Sequence, residues 1–177
     1  MADPKLVEIL KQGSEVWNRW RNEQLSDCLQ VDLINADLSK TNLPEADLSH
    51  ADLVDADLSD ADLREANLSG AYMRGVNLSH SDLSHATLRH ANMCIANLNE
   101  TDLIETNLSH INLNYADLRR ANLSKADLSR AALVDADLSE ASLNEANLSD
   151  ANLYKADLSE ADLYKALQLH FFGETLC

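Results

Sequence analysis

Residues 46–65 read ADLSHADLVDADLSDADLRE, nearly the same five residues four times over. This period runs without insertion through 27 frames, whose central position, from Leu33 to Leu163, is Leu except at Met73 and Met93. Two residues earlier stands Ala in 20 frames, the exceptions being Val31, Thr41, Val76, Ser81, Thr101, Thr106 and Ile111. Immediately before the Leu stands Asp or Asn in 23, with Tyr72, Thr87, Ala132 and Ser142 as exceptions. A fixed short period of this kind decides the architecture before any other feature is considered.

Apolar residues at i and i+2 share one side of an extended strand, whereas a helix would scatter a five-residue repeat around its circumference. Ala and Leu therefore face inward and the Asp or Asn between them faces out. The remaining two residues of each frame are mostly polar and suit a turn. Each unit reads as a three-residue strand followed by a corner.

The number of corners per coil follows from a second, ten-residue alternation. Position 39 and every tenth residue to 159 is Ser in 10 of 13 cases, failing at Arg89, Asn99 and Arg119, whereas the series from 34 to 164 has Ser only at Ser84 and Ser124. A three-sided coil would mix the two kinds on every face, so the number of sides is even. Two sides leave no interior, and six leave one too wide for Leu and Ala to fill. Four sides remain, a 20-residue coil, and 27 units make just under seven coils. At about 4.8 Å per coil the rod is roughly 30 Å long. Met73 then lies directly under Met93 with Ile111 in the next coil, which reads as local repacking of the interior.

The A(D/N)LXX pattern over residues 31–165 resembles the pentapeptide-repeat family. The resemblance implies an all-β solenoid, a right-handed quadrilateral β-helix, and the handedness rests on it alone. The opening VEILKQGSEVWNRWR is similar to the amino-terminal helix of many cyanobacterial members, which implies such a source.

Strand stacks expose unpaired backbone at their ends, and these edges must be covered. Asp3-Pro4 is a helix start, Asp as N-cap and Pro in the first turn. Leu6, Ile9, Leu10, Val16, Trp17 and Trp20 approximate one apolar face, so a helix over residues 4–24, with an irregularity at Gly13, is expected to lie on the first coil through one or both Trp. The expected organisation is a helical cap over 1–25, a β-helix over 26–166 and a carboxyl-terminal segment over 167–177. In that last segment Leu169, Phe171, Phe172 and Leu176 are either a plain cap or the contacts of an end-to-end homodimer, some relatives in the family pairing through this end.

Net charge is −16, which argues against direct binding of nucleic acid, since phosphates are held by clustered Lys and Arg. Cys28, Cys94 and Cys177 have no metal-ligand spacing, and an odd count without a disulfide framework points to the cytoplasm. No run reaches membrane-spanning length. Catalysis needs a nucleophile, an oriented base and an enclosed site together, and the internal histidines, His50, His80, His85, His90 and His110, all fall at convex corners. His90 and His110, 20 residues apart, stack in adjacent coils without a further ligand and read as an exposed ladder. No enzyme, cofactor or metal site is expected.

Charge sorted by wall is uneven. The Leu38 wall carries Asp37, Asp57, Asp60, Glu100, Asp117, Asp137, Glu140, Asp157 and Glu160 against Lys40, Arg119 and Arg120, a net of −6. The adjacent Leu43 wall carries Glu45, Asp62, Glu65, Asp82, Asp102, Glu105, Glu145 and Asp162 against Arg64, Lys125 and Lys165, a net of −5. The other two walls together hold −3. This asymmetry either keeps a repetitive rod soluble or presents an acidic face to a basic partner. The expected function is a non-enzymatic scaffold that binds a protein, its role unassigned. The alternative comes from the resemblance: members that protect type II topoisomerases imitate DNA, so the acidic walls would meet gyrase, although this chain has no loop inserted between coils.

Overall fold

In the computed structural model, which describes residues 2–24 and 31–167, the repeats form a right-handed four-sided β-helix. Parallel bridges join each residue before the central Leu to its equivalent 20 residues on, from Asp32–Asp52 through to Asn147–Leu167. The four-sided coil is thus as expected. Each frame contributes three backbone hydrogen bonds to its neighbours. In the first, Leu33 N–H donates to Asp52 O at 2.8 Å, Asp52 N–H to Val31 O at 2.8 Å, and Asn35 N–H to Val54 O at 2.9 Å.

The interior is a column of Leu and Ala. Leu38, Leu78, Leu118 and nearly all their equivalents are fully buried, each such side chain contributing roughly 1.5–3 kcal/mol. Met73, Met93 and Ile111 are buried in the same column. Where a hydroxyl replaces Ala it is satisfied locally: Ser81 Oγ and Thr101 Oγ1 both donate to Leu78 O, at 2.6 and 2.8 Å.

The corners are tighter than polarity alone indicates. The N–H of each frame's first residue donates to the previous Leu carbonyl, as Ala36 does to Leu33 at 3.0 Å, and the third residue of that four-residue turn has positive φ, as in a type II turn. All 27 frames do this: 25 non-glycine residues have φ between 53° and 61°, and Gly70 and Gly75 have 65° and 70°. The Asp or Asn of the repeat supports the same corner. Its Oδ1 accepts the N–H two residues later, as in Asp37 to Ser39 at 3.1 Å and Asn107 to Ser109 at 3.1 Å, and the Ser hydroxyl often donates to that oxygen too.

The cap departs from a single helix over 4–24. It is two helices, α1 (Pro4–Leu10) and α2 (Ser14–Glu23), broken at Gly13. Gly13 has φ 100°, a conformation side-chain-bearing residues avoid, and it precedes Ser14 as the N-cap of α2. Asp3 caps α1 as expected, accepting from Lys5 N–H at 2.9 Å.

α2 supplies the first coil with the hydrogen-bond partners that a preceding coil supplies elsewhere. Within the stack, Leu48 N–H donates to Asn67 O, Asn67 N–H to Ala46 O and His50 N–H to Ser69 O. One coil earlier the same duties fall to side chains. Trp17 Nε1 donates to Asp47 O at 2.8 Å, Asp47 N–H donates to Asn18 Oδ1 at 2.8 Å, and an Arg21 guanidinium nitrogen donates to Ser49 O at 2.8 Å. Trp17 is fully buried and stacks at 4.9 Å on the half-buried Trp20. At the other end Leu153, Leu158 and Leu163 are only partly buried. The proposed dimer contacts Leu169, Phe171, Phe172 and Leu176 lie outside the described residues.

Replacing Trp17 by Phe keeps the ring in the core but strands Asp47 O. The expected loss is about 1–3 kcal/mol, read as a lowered thermal midpoint, with amide exchange quickened in the first coil before later ones because each coil contacts only its neighbours. A uniform change along the rod would contradict this account of the cap.

Candidate interaction surface

Every outward column is a ladder with one side chain per coil. Its chemistry depends on which residues the 20-residue register stacks. Asn over Asp or Asn forms a rung: Asn77 Nδ2 donates to Asp57 Oδ1 and Asn97 Nδ2 to Asn77 Oδ1, both at 3.0 Å. His90 and His110 stack with ring centroids 4.8 Å apart, in the exposed ladder expected of them.

All seventeen acids of the two acidic walls lie outside the core, exposed or half-buried, yet the register neutralises many. On the Leu38 wall, Arg119 makes two hydrogen bonds to Asp117, at 2.8 and 2.6 Å, and reaches Asp137 at 3.7 Å. Arg120 bridges Glu100 and Glu140 across two coil intervals, at 3.5 and 2.9 Å, while His80 faces Glu100 at 3.4 Å. On the Leu43 wall Arg64 joins Asp62 to Asp82, Lys125 meets Glu105, and Lys165 meets Glu145. Asp37 lies 3.9 Å from Lys11 of the cap region. Among the described residues the acids of these walls without an ion pair are therefore Glu45, Asp57, Asp60 and Glu65 toward the amino end, Asp157, Glu160 and Asp162 toward the carboxyl end, and Asp102 between.

The pairs move the carboxylates as expected. Hydrogen bonds from Arg64, Arg119 and Arg120 hold Asp62, Asp117 and Glu140 below their ordinary range, and each of the three guanidinium groups is raised in turn. Asp37 and Asp157 are lowered chiefly by hydrogen bonds from Ser39 and Ser159.

Two features escape a wall-by-wall sorting of charge. The first lies along the rod: residues 66–99 contain one acid, Asp82, against Arg74 and Arg89, so the acidic protein has an acid-poor waist. The second is apolar. Tyr72, Ile95, Tyr115 and Tyr154 are each about half exposed and all belong to the Leu33 wall and its following corner. The signal was present in the sequence, since these are departures from the polar consensus at outward positions 20 residues apart or in the same frames.

Among the described residues no group of three or more His, Cys, Asp or Glu is placed to hold a metal ion, and no helix is long and apolar enough to cross a membrane.

The pentapeptide-repeats family model matches residues 26–64, 56–93, 96–133 and 131–167. Among solved structures the chain is similar to HetL, a pentapeptide repeat protein involved in heterocyst differentiation regulation from the cyanobacterium Nostoc sp. strain PCC 7120, at 30% identity over 86% of this chain and 92% of that one, with a TM-score of 0.37. Rfr23 from the cyanobacterium Cyanothece 51142 is 26% identical, covering 74% and 90%, with a TM-score of 0.37. A trypsin-treated QnrB1, a plasmid-mediated fluoroquinolone resistance protein, gives a TM-score of 0.54 at 22% identity, covering 75% and 78%. No curated protein sequence matches the chain.

Acidification tests the arginine pairs. Carboxylates lowered by folding contribute stability that is present above their unfolded values, about pH 4, and lost as pH falls through the lower folded values. The melting midpoint is expected to hold from neutrality to about pH 5 and to fall below about pH 4. The fall should be shallower when Arg64, Arg119 and Arg120 are changed together to Gln. An identical acid slope in the two proteins would show that the pairs contribute nothing.

Proposed function

The chain belongs to the pentapeptide-repeat family, and from that membership we propose that it is a non-enzymatic interaction module, a rigid rod that offers fixed columns of side chains to a protein partner. The observation that carries this reading is the residue of charge left after internal pairing. Asp57 and Asp60 on the Leu38 wall, and Glu45 and Glu65 at the corner that ends the adjacent Leu43 wall, all lie in the first coils near the capped end, and the partner they fit is a basic protein surface. Such complementarity speeds encounter and fixes register more than it adds affinity. A cytoplasmic setting accompanies the reading, supported by the odd cysteine count and the free thiol of Cys94.

Imitation of DNA before gyrase is the less supported alternative. A duplex mimic needs unbroken negative charge along its length, whereas Arg64, Arg119, Arg120 and Lys125 interrupt both acidic walls and the waist holds a single acid, Asp82. The likeness to QnrB1 supports the fold and carries no partner with it.

Asp at a strand position and Asp at a corner both tolerate Asn, which keeps the Oδ1 acceptor and the left-handed backbone. Pull-down from the native cell with Asp57→Asn, Asp60→Asn and Glu65→Gln combined should therefore lose the partner, while Asp117→Asn with Asp137→Asn should retain it. Recovery of the same partner by both variants would remove the acidic surface from the reading. Gyrase supercoiling is expected to be unaffected by micromolar protein at low salt, and inhibition there would restore mimicry.

A further inference from the structure

The corner residues have left-handed backbone, a conformation in which a β-branched side chain is a genuine outlier. Of the 25 non-glycine corners one is β-branched, Ile95 at φ 59°. It is only about half buried, being 47% exposed. Its neighbour in the next coil, Tyr115 at φ 61°, is the one aromatic corner and is 58% exposed. Strain of this kind persists where something else selects the residue. Both residues stand on the Leu33 wall's corner, Ile95 within the acid-poor waist and Tyr115 in the coil that follows it.

The outward columns of this wall are self-complementary about their middle coil. The wall has seven coils, and the one containing Cys94 and Ile95 is the fourth. A two-fold axis lying in the face of that coil, parallel to its strand, sets a second copy antiparallel, with coil one on seven, two on six and three on five. The column Ile34, Val54, Arg74, Cys94, Asn114, Val134, Tyr154 then pairs Ile34 with Tyr154, Val54 with Val134, Arg74 with Asn114, and Cys94 with itself. The corner column pairs Ile95 with Ile95 and sets Tyr115 over Gly75, beside the Asp55 carboxylate that leans across that glycine. This is what an isologous interface requires.

Charge disfavours two of the other three walls, while the Leu33 and Leu48 walls carry only −2 and −1. The Leu38 and Leu43 walls carry −6 and −5, so copies meeting there would repel, and the aromatic and aliphatic composition of the Leu33 wall is that of an interface centre. We infer that two copies of this chain associate side by side and antiparallel through the Leu33 wall, with Ile95 and Tyr115 as the anchors. Seven coils at about 4.8 Å, across a wall roughly 12 Å wide, cover on the order of 400 Å² per partner, which places the dimer in the weak, transient class. Asp55 and Asp135 face one another in it, so screening by salt strengthens the contact.

The test uses the full chain with Cys28→Ser and Cys177→Ser, so that Cys94 is the single thiol. Sedimentation at ~300 µM protein and ~0.5 M NaCl is expected to show mass rising from 19.6 kDa toward twice that, more at high salt than low, and a short bismaleimide is expected to join Cys94 to Cys94. Ile95→Asn with Tyr115→Asn should weaken dimerisation at least about tenfold and abolish the cross-link while leaving the melting midpoint unchanged or raised, because Asn relieves the strained corner. A chain that stays at 19.6 kDa under these conditions overturns the inference. So does a dimer that survives the double substitution, which would place the contact elsewhere, for instance at the carboxyl-terminal end.

Discussion

A left-handed residue every fifth position is the constraint from which the remainder of the molecule follows. Three extended residues cannot turn by themselves, and the positive φ at each corner redirects the chain onto the next wall. Because the corner recurs without insertion, strands superpose every 20 residues and each backbone group meets its equivalent in the adjacent coil. The side chains then have little freedom: Leu fills the square cross-section, Ala lets neighbouring walls approach, and Asp or Asn holds the corner N–H. The left-handed conformation costs each non-glycine corner some energy. What offsets it is shared by neighbouring coils, in three ladder bonds per frame and in buried Leu, so no single pentapeptide is stable by itself.

That dependence on neighbours makes the ends the distinctive part of the chain. An interior coil finds its partners automatically, whereas the first coil must be given them. Trp17, Asn18 and Arg21 are spaced on one helix so that an indole N–H, an amide oxygen and a guanidinium fall where the preceding coil's N–H, C=O and N–H would have been. A helix can end a β stack here because it offers side-chain donors and acceptors in place of its own satisfied backbone. The carbonyl-rich edge is thereby closed to other chains.

The repeat made much of this legible. Period, inward and outward faces and the four-sided coil all follow from apolar spacing and the ten-residue Ser alternation, because these are statements about the shape of a stack. The left-handed corners were not legible. That conformation is usually signalled by Gly, Asn or Asp, yet those types fill only 7 of the 27 corners, and Glu, Lys, His and Arg hold most of the others. Tertiary stacking overrides the local preference. The break at Gly13 was visible as an irregularity, but its depth was not, since a glycine inside a helical pattern is tolerated as often as it interrupts. The net charge of each wall was legible in sequence, and its distribution along the wall was not. Counting by wall assigns each Arg one acid to cancel, whereas the register lets Arg119 and Arg120 each reach two carboxylates and break the surface into separate patches.

The same geometry restricts what kind of function such a rod can evolve. Outward positions carry little of the fold, so they change at small cost, and each change appears at a fixed height on a fixed column. A partner therefore reads a pattern of columns with a spacing of about 4.8 Å, and no pocket is needed. In a sequence whose consensus is polar and acidic at these positions, information lies in the departures. Arginines that silence part of an acidic wall, and an isoleucine kept at a corner that disfavours it, are two forms of that information. The first leaves unpaired acids mostly toward the two ends of the rod. The second adds apolar surface to a wall of low net charge.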